Sequence, residues 1–267
     1  MKKFFERYII KEKKGEGASA VVFSGIDVYT QKKVAMKVAH TILAKHAKFA
    51  SRWQREVILL HMLQHKRVVP LFDAQLKSSE RLCMIMGFAE QGDLEQRLLH
   101  GATAKEVLIW LLEVLEGLAH IHSFGVVHQD IKPDNILIND EGHVWLADFS
   151  VARTQAEMIS NRQEITGTPE YYSPEQRSKI ATEVGPWSDL YAWGKILEQV
   201  LQSLEFRSAE MVEIVEGCLA LDPKQRFQSA GEIIPLLEKA LNTLPRNIQS
   251  RKFYLRSKPR SVQVLRE

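Results

Sequence analysis

Residues His128–Asn135 read HQDIKPDN, and they place three different chemical groups on one short stretch of chain. Asp130 supplies a carboxylate that can accept a proton, Lys132 supplies a cation, and Asn135 supplies an amide oxygen that can bind a hard cation. An acid and an amide at this spacing also occur in ordinary surface loops. The chemistry of the stretch therefore depends on what the rest of the chain brings close to Asp130.

The composition is that of a folded protein with a sizeable core. The 267 residues are 45% hydrophobic and 26% charged, enough for one large domain or two small lobes. A net charge of +3 does not by itself indicate nucleic-acid binding, so no nucleic-acid partner is predicted. No apolar run approaches the roughly 20 residues of a membrane-spanning helix, and the basic start lacks the apolar segment of a secretory signal. Cys83 and Cys218 lie far apart in apolar stretches, which favours buried thiols in a reducing compartment over a disulfide.

The hydrophobic pattern changes from strand-like to helical along the chain. Apolar, β-branched runs broken by turn residues predict strands, and apolar residues at helical spacing predict helices. We expect strands near Tyr8–Lys14, Ala20–Asp27, Lys33–Ala39, Val68–Gln75, Arg81–Met86, Ile136–Ile138 and Val144–Ala147. We expect helices in KFASRWQREVILLHML, AKEVLIWLLEVLEGLAHIHSFG, SDLYAWGKILEQVLQSL, SAEMVEIVEGCLAL and SAGEIIPLLEKAL, and one opened by GFAEQGDLEQRL with Asp93 in its first turn. A loop-rich stretch is expected from 148 to about 185.

This order of elements predicts an α+β fold with two lobes. Residues 1–87 form a small lobe of antiparallel strands with one helix, and residues 88–244 form a larger, mainly helical lobe. Residues 245–267 are basic, lose clear periodicity and form a C-terminal tail.

Two features near the N-terminus suggest phosphate binding. Gly15 and Gly17 would let the backbone approach a phosphate closely, although a plain hairpin turn has the same appearance. Lys37 lies mid-strand among apolar residues, where an unpaired ammonium is costly, so it needs an anionic partner. Glu56 is one candidate on the helix that follows. A snorkelling surface lysine remains the alternative from these residues alone.

The ordered set of motifs resembles that of a protein kinase. The matching segments are GEGASAVV, VAMK with Glu56, HQDIKPDN, DFS, GTPEYYSPE, the Asp of SDLYAWG and Arg226 in LDPKQRF. They extend from roughly Tyr8 to Leu241, and the ordered set is far more specific than any single motif. The resemblance implies a bilobal protein-kinase-like fold and transfer of the γ-phosphoryl group of ATP to protein hydroxyls. Lys132 and Thr168 resemble their counterparts in Ser/Thr kinases.

The resemblance also implies roles for individual residues. Asp130 would act as the base for the substrate hydroxyl, and Lys132 would neutralise charge on the transferred group. The implied Mg²⁺ ligands are Asn135 and Asp148. The implied ATP-binding residues are Gly15, Gly17, Val22, Ala35, Lys37, Glu56, Met86, Gly87, Ala89 and Leu137, with Met86 at the back of the adenine pocket.

The peptide-binding side of the kinase resemblance involves the segment GTPEYYSPE. Thr168 would form a hydrogen bond near Asp130 and Lys132. Glu175 would pair with Arg226, and Asp189 would bond the backbone of the catalytic loop.

Four departures from the family pattern are visible. Ala20 replaces the third glycine of the glycine loop, Ser150 replaces the glycine after Asp148 and Phe149, and Gln129 replaces the arginine that precedes the catalytic aspartate. In the family that arginine pairs with a phosphorylated activation loop, so its loss suggests that activity does not require this phosphorylation. The stretch between Asp189 and Arg226 is also short and leaves little room for the usual helix.

The leading interpretation is an active, Mg²⁺-dependent Ser/Thr protein kinase in the cytoplasm, or an exported effector acting in another cytosol. A pseudokinase serving as a binding module and a small-molecule kinase are the alternatives. The basic tail also has two interpretations. It is either a solvated segment without packed structure or an arm that docks on an acidic partner or a membrane surface.

Overall fold

The structure is a computed structural model that describes residues 3–4, 6–76, 81–154, 157, 168–178, 183–204 and 206–245. The basic tail from Arg246 onward lies outside these residues, as do the loop hydroxyls Ser160 and Thr166. In the described part of the chain, none of the helices is both long enough and apolar enough to cross a bilayer.

The N-terminal lobe is built on a six-stranded antiparallel sheet in the order β1-β2-β3-β4-β6-β5. One long helix, α2, and a single short turn of helix, α1, connect β4 to β5. The elements are β1 (Lys3–Phe4), β2 (Tyr8–Glu16), β3 (Ala20–Asp27), β4 (Lys33–Ala39), α1 (Thr41–Ala44), α2 (Ala47–Met62), β5 (Leu71–Gln75) and β6 (Cys83–Gly87).

Alternation along β4 separates the core of this lobe from its functional face. Val34, Met36 and Val38 are buried in a small apolar cluster on one side of the sheet. Successive side chains of a strand point to opposite faces, so Ala35 and Lys37 point to the other side. A single strand thus anchors the sheet and presents its lysine towards α2.

The C-terminal lobe is mainly helical and packs around α4. Thr103 and Glu106 form a capping box that fixes the start of this helix. Two small sheets pair β8 with β9 and β7 with β10. The elements are α3 (Leu94–Leu99), α4 (Ala104–Ser123), β7 (Val126–Val127), β8 (Ile136–Ile138), β9 (Val144–Leu146), β10 (Arg153–Thr154), α5 (Pro174–Arg177), α6 (Pro186–Gln202), α7 (Ala209–Leu219) and α8 (Ala230–Asn242).

The predicted α+β architecture is confirmed, and most predicted elements are found within a few residues of their expected bounds. The strand predicted from Val68 was wrong at its start, because β5 begins only at Leu71. Pro70 has no N–H to donate to a ladder, and Val68 instead makes an isolated bridge to Leu146. The pairing of β7 with β10 was not predicted, because two-residue strands leave no periodic pattern.

The connector between α6 and α7 is short, as predicted. It spans Ser203–Ser208, and its described residues contain no helix. The two helices instead approach each other closely at Gly194, where a Cβ atom would lie 2.4 Å from the Cβ of Cys218. This contact brings the outer helices of the lobe together without an intervening element.

The close approach at Gly194 predicts a stability effect. Gly194→Ala should destabilise the protein by about 1–3 kcal/mol, because the added methyl group must displace a buried neighbouring helix. Urea unfolding would measure the change. Gly231→Ala is the matched control, since the nearest neighbouring atom to its added Cβ is the Ser229 hydroxyl at 3.6 Å. Equal losses in the two variants would contradict the packing argument.

Candidate active site

A cleft of about 700 Å³ lies between the sheet and the C-terminal lobe. Its apolar walls come from β3, β4 and β8, and its back edge is the backbone that follows β6. Six of the residues predicted to bind the nucleotide line it: Gly15, Val22, Ala35, Gly87, Ala89 and Leu137. Val22, Ala35 and Leu137 contribute the apolar side chains of this lining.

Gly17 and Met86 were predicted to belong to the same pocket but occupy different surroundings. The Gly17 N–H donates to the Ala20 carbonyl at 2.9 Å, and the Gly17 carbonyl lies 2.9 Å from the His40 ring. Met86 lies in β6 opposite Ala35 and packs against the main core. The roles predicted for both residues stay predictions.

Lys37 lies two residues beyond Ala35 on the same face of β4 and occupies the centre of an ion network. Its Nζ donates to Glu56 Oε1 at 2.7 Å and to Asp148 Oδ1 at 3.1 Å. The Lys37 and Glu56 side chains are 13% and 3% exposed, and that of Asp148 is 40% exposed. The predicted pairing of Lys37 with Glu56 is therefore confirmed.

The network sets the charge state of its members. Burial alone would lower the pKa of Lys37, but the carboxylates of Glu56 and Asp148 outweigh burial and raise it. Burial would raise the pKa of Asp148, but the Lys37 cation and the Ser150 hydroxyl bring it well below its usual range. Asp148 is therefore a carboxylate that remains ionised near neutral pH.

Asp130 lies in the catalytic loop, residues His128–Asn135, and its carboxylate contacts Lys132, Asn135 and Thr168. Its Oδ2 atom lies 2.7 Å from Lys132 Nζ and accepts a bond from Asn135 Nδ2 at 3.0 Å. Its Oδ1 atom accepts the backbone N–H of Thr168 at 3.0 Å. The Lys132 ammonium also donates to the Thr168 hydroxyl at 2.8 Å. The residues of HQDIKPDN thus converge on one carboxylate, together with Thr168.

A buried aspartate from α6 positions this loop. Asp189 is 1% exposed and accepts the backbone N–H groups of His128 and Gln129, both at 2.8 Å, which confirms the predicted contact. The His122 ring lies 2.9 Å from the same carboxylate. Gln129 has a φ of 68°, a left-handed conformation that is uncommon for a residue with a side chain. The paired bonds from Asp189 hold the backbone in that conformation.

The segment after Thr168 is anchored by a buried ion pair. Arg226 donates two bonds to Glu175, at 2.8 and 2.9 Å, and the Ser188 hydroxyl donates to Glu175 at 2.6 Å. Burial would raise the pKa of Glu175, but these bonds outweigh burial and lower it. The predicted pairing of Glu175 with Arg226 is therefore confirmed.

Several contacts at the site were not predicted. Arg55 on α2 donates to the Ser150 carbonyl at 3.3 Å, and Gln176 on α5 donates to the Gln129 carbonyl at 3.0 Å. The cleft also extends past Gly87 along α3, where Arg97 and His100 line its outer end. The only sequence signal for the contact of Arg55 with Ser150 was that Arg55 directly precedes Glu56, the residue predicted to face Lys37.

Comparison with known proteins places these motifs in a family. The family model described as the protein kinase domain matches residues 8–236. The chain belongs to the protein kinase family. It is 36% identical over 203 residues to the Serine/threonine-protein kinase pkn2 of Myxococcus xanthus and 34% identical over 198 residues to the Serine/threonine-protein kinase PknL of Mycobacterium tuberculosis.

A third relative is the Probable serine/threonine-protein kinase pknA2 of Bifidobacterium longum, 34% identical over 203 residues. Each of the three alignments covers 73% of this chain. The same alignments cover 24%, 49% and 26% of pkn2, PknL and pknA2. The chain therefore matches half or less of the length of each of these relatives.

The buried Glu175–Arg226 pair predicts a large stability loss in Arg226→Met. The variant leaves a carboxylate that is 1% exposed without its cation, which costs about 3–5 kcal/mol. The difference in the free energy of unfolding between Arg226→Met and the wild type should become smaller as the pH falls towards about 5. The reason is that the unpaired, buried Glu175 carboxylate of the variant has a raised pKa and becomes neutral by binding a proton.

Thermal unfolding at several pH values would measure this difference. Lys239→Met, which breaks the pair of Glu210 with a Lys239 side chain that is 67% exposed, is the control and should lower the melting temperature far less. A melting temperature of Arg226→Met equal to that of the control would show that the buried pair does not stabilise the lobe.

Proposed function

We propose that this chain is a Ser/Thr protein kinase that transfers the γ-phosphoryl group of ATP to Ser or Thr hydroxyls of a protein substrate. The observation that carries the proposal is the convergence of Lys132, Asn135 and the Thr168 backbone on the Asp130 carboxylate. The names of the similar bacterial proteins support the same reaction.

Asp130 is the group we propose to accept or orient the proton of the substrate hydroxyl. It is only 9% exposed, and its partners fix the orientation of both oxygens before a substrate arrives. The Lys132 ammonium lies beside the Asp130 carboxylate and can interact with negative charge on the phosphoryl group being transferred. Positioning and charge compensation account for most of the catalysis of phosphoryl transfer in this family.

The cleft supports nucleotide binding in a defined orientation. Val22, Ala35 and Leu137 form apolar walls for a flat base, and the backbone at Gly87 and Ala89 can bond its edge. Lys37 follows Ala35 on the same face of β4, and we propose that its ammonium reaches phosphate oxygens of the bound nucleotide. Glu56 holds Lys37 in that position.

Asn135 and Asp148 fit a magnesium ion by the chemistry of their donor atoms. Asn135 uses its amide nitrogen to bond Asp130, and Asp148 uses one oxygen to bond Lys37, so each has a further oxygen for a hard cation. Within the described residues, no group of three or more His, Cys, Asp or Glu side chains could hold a metal ion by itself. When bound, Mg²⁺ would neutralise charge on the phosphates.

Features of the site weigh against the two alternatives. A pseudokinase is suggested by Ser150 and Gln129, but Lys37, Asp130 and Asp148 are all present, and Lys37 pairs with Glu56 and Asp148. A small-molecule kinase is suggested by the short connector between α6 and α7, but Glu175 and Arg226 anchor a segment suited to a peptide.

Cys83 and Cys218 are both buried free thiols, and we propose a reducing, cytosolic environment.

Asp130→Asn should lower phosphate transfer by about 10²–10⁴-fold, because the amide can no longer accept a proton. A labelled-ATP assay with a generic basic protein would measure the rate, and phosphoamino-acid analysis would identify the acceptor. Asp140→Asn, in the exposed turn between β8 and β9, is the matched control and should retain activity. Equal rates in the two variants, or Tyr as the sole acceptor, would refute the proposal.

A triple variant with Thr154→Ala, Ser160→Ala and Thr166→Ala lacks the three loop hydroxyls. It should keep most of the wild-type rate of phosphoryl transfer. The physical reason is that Gln129 carries no charge with which to anchor a loop phosphate. Thr168→Val is the contrasting variant, because it removes the hydroxyl that accepts from Lys132, and it should lower the rate. A large loss in the triple variant would mean that a loop phosphate is required.

A further inference from the structure

The short connector between α6 and α7 leaves an apolar groove on the surface of the C-terminal lobe. Leu201, Val212 and Val215 form its floor, and Val212 is 42% exposed. Polar side chains form its edge: Glu198, Gln202, Arg207 and Glu216. We call this cleft of about 200 Å³ the α6–α7 groove. Leu201 is only 3% exposed, so Val212 and the half-buried Val215 are the apolar side chains that the groove presents to an occupant.

The outer surface of α7 is acidic. The helix contains Glu210, Glu213 and Glu216 and no Lys or Arg. Glu210 pairs with Lys239 of α8 at 2.8 Å. Glu213 and Glu216 are exposed, and neither forms an ion pair with any described residue. An occupant of the groove should therefore combine apolar side chains with positive charge.

The segment of this chain that follows Pro245 has this chemistry. Residues 246–267 contain seven Lys or Arg residues and one acidic residue, Glu267. Within them, RKFYLR at 251–256 places Phe253, Tyr254 and Leu255 between basic neighbours.

The described chain ends close enough for this segment to reach the groove. Lys239, in the last turn of α8, lies beside Glu210 in the first turn of α7, and the groove begins at the same end of α7 with Arg207 and Val212. Phe253 lies eight residues beyond Pro245, a stretch that spans at most about 26–29 Å. A helix with its side chains is about 10–12 Å across, so the segment can pass around the start of α7.

We propose that residues 251–256 of this chain dock in the α6–α7 groove of the same molecule. Phe253 and Leu255 cover Val212 and Val215, and the basic neighbours face Glu213 and Glu216. The segment then occupies the space left by the short connector. This proposal is independent of the catalytic activity.

Cysteine cross-linking in the full chain tests the contact. Gln202→Cys at the edge of the groove is combined with Ser257→Cys next to the docking residues, and mild oxidation is followed on non-reducing gels. Tyr29→Cys with Ser257→Cys is the control, because Tyr29 is 77% exposed on the N-terminal lobe. The native thiols should not compete, because both are buried and burial raises the pKa of Cys83 to about 12.

We expect a disulfide within one molecule for the groove pair and little or none for the control pair. Equal cross-linking of both pairs would overturn the proposal. Disulfide-linked dimers in place of the intramolecular product would place the segment on a second copy and would also overturn it.

A double-mutant cycle provides a second readout. Phe253→Ala should lower the melting temperature by about 2–4 °C, and adding Val212→Ala should lower it less than the sum of the two single effects. Val262→Ala is the matched control outside the docking residues and should leave the melting temperature unchanged. An unchanged melting temperature in Phe253→Ala, or strictly additive effects, would show that the two side chains do not touch.

Discussion

One buried ammonium group connects three separate parts of this molecule. Lys37 lies on β4, Glu56 on α2 and Asp148 directly after β9, and the three side chains meet within 3.1 Å of one nitrogen atom. An unpaired charge at a buried position costs several kcal/mol, so the strand, the helix and the hairpin must keep their relative positions for the network to persist. β4 also carries Ala35, which lines the cleft, so one strand contributes both to the ion network and to a wall of the cleft.

The catalytic loop depends on a second buried charge of opposite sign. Asp189 accepts the backbone N–H groups of His128 and Gln129. Gln129, which directly precedes Asp130, adopts a left-handed conformation. Asp148 has the same kind of backbone, with a φ of 62°. Such conformations are unfavourable for residues with side chains, and they persist where neighbouring bonds over-determine them. Buried hydrogen bonds therefore hold the backbone at Gln129, directly before Asp130, in a conformation that would otherwise relax.

The amino-acid sequence predicted the contacts whose physical need is visible in a short window. Lys37 in an apolar strand requires an anion, and alternation along β4 fixes which face it occupies, so its pairing with Glu56 could be inferred. Contacts between distant parts of the chain were predicted only where the family resemblance supplied them, as for Glu175 with Arg226, and the others were missed. The bond from Arg55 to the Ser150 carbonyl depends on how α2 lies over the chain after β9, and the contact of Lys132 with Asp130 depends on a local backbone path. The extension of the cleft to Arg97 and His100 follows from the direction of α3.

The departures from the family pattern are compensated by neighbours within the described chain. Ser150 provides a hydroxyl that helps to keep Asp148 ionised, and its carbonyl accepts the bond from Arg55. At Gln129 the backbone N–H is held by Asp189 and the carbonyl by Gln176, so both polar groups of that peptide are satisfied without a cationic side chain. An arginine at position 129 would add a positive charge, but the backbone N–H and carbonyl of this residue already have partners without it. The described contacts of Asp130 and Asp148 therefore involve neither a cationic side chain at position 129 nor a glycine at position 150.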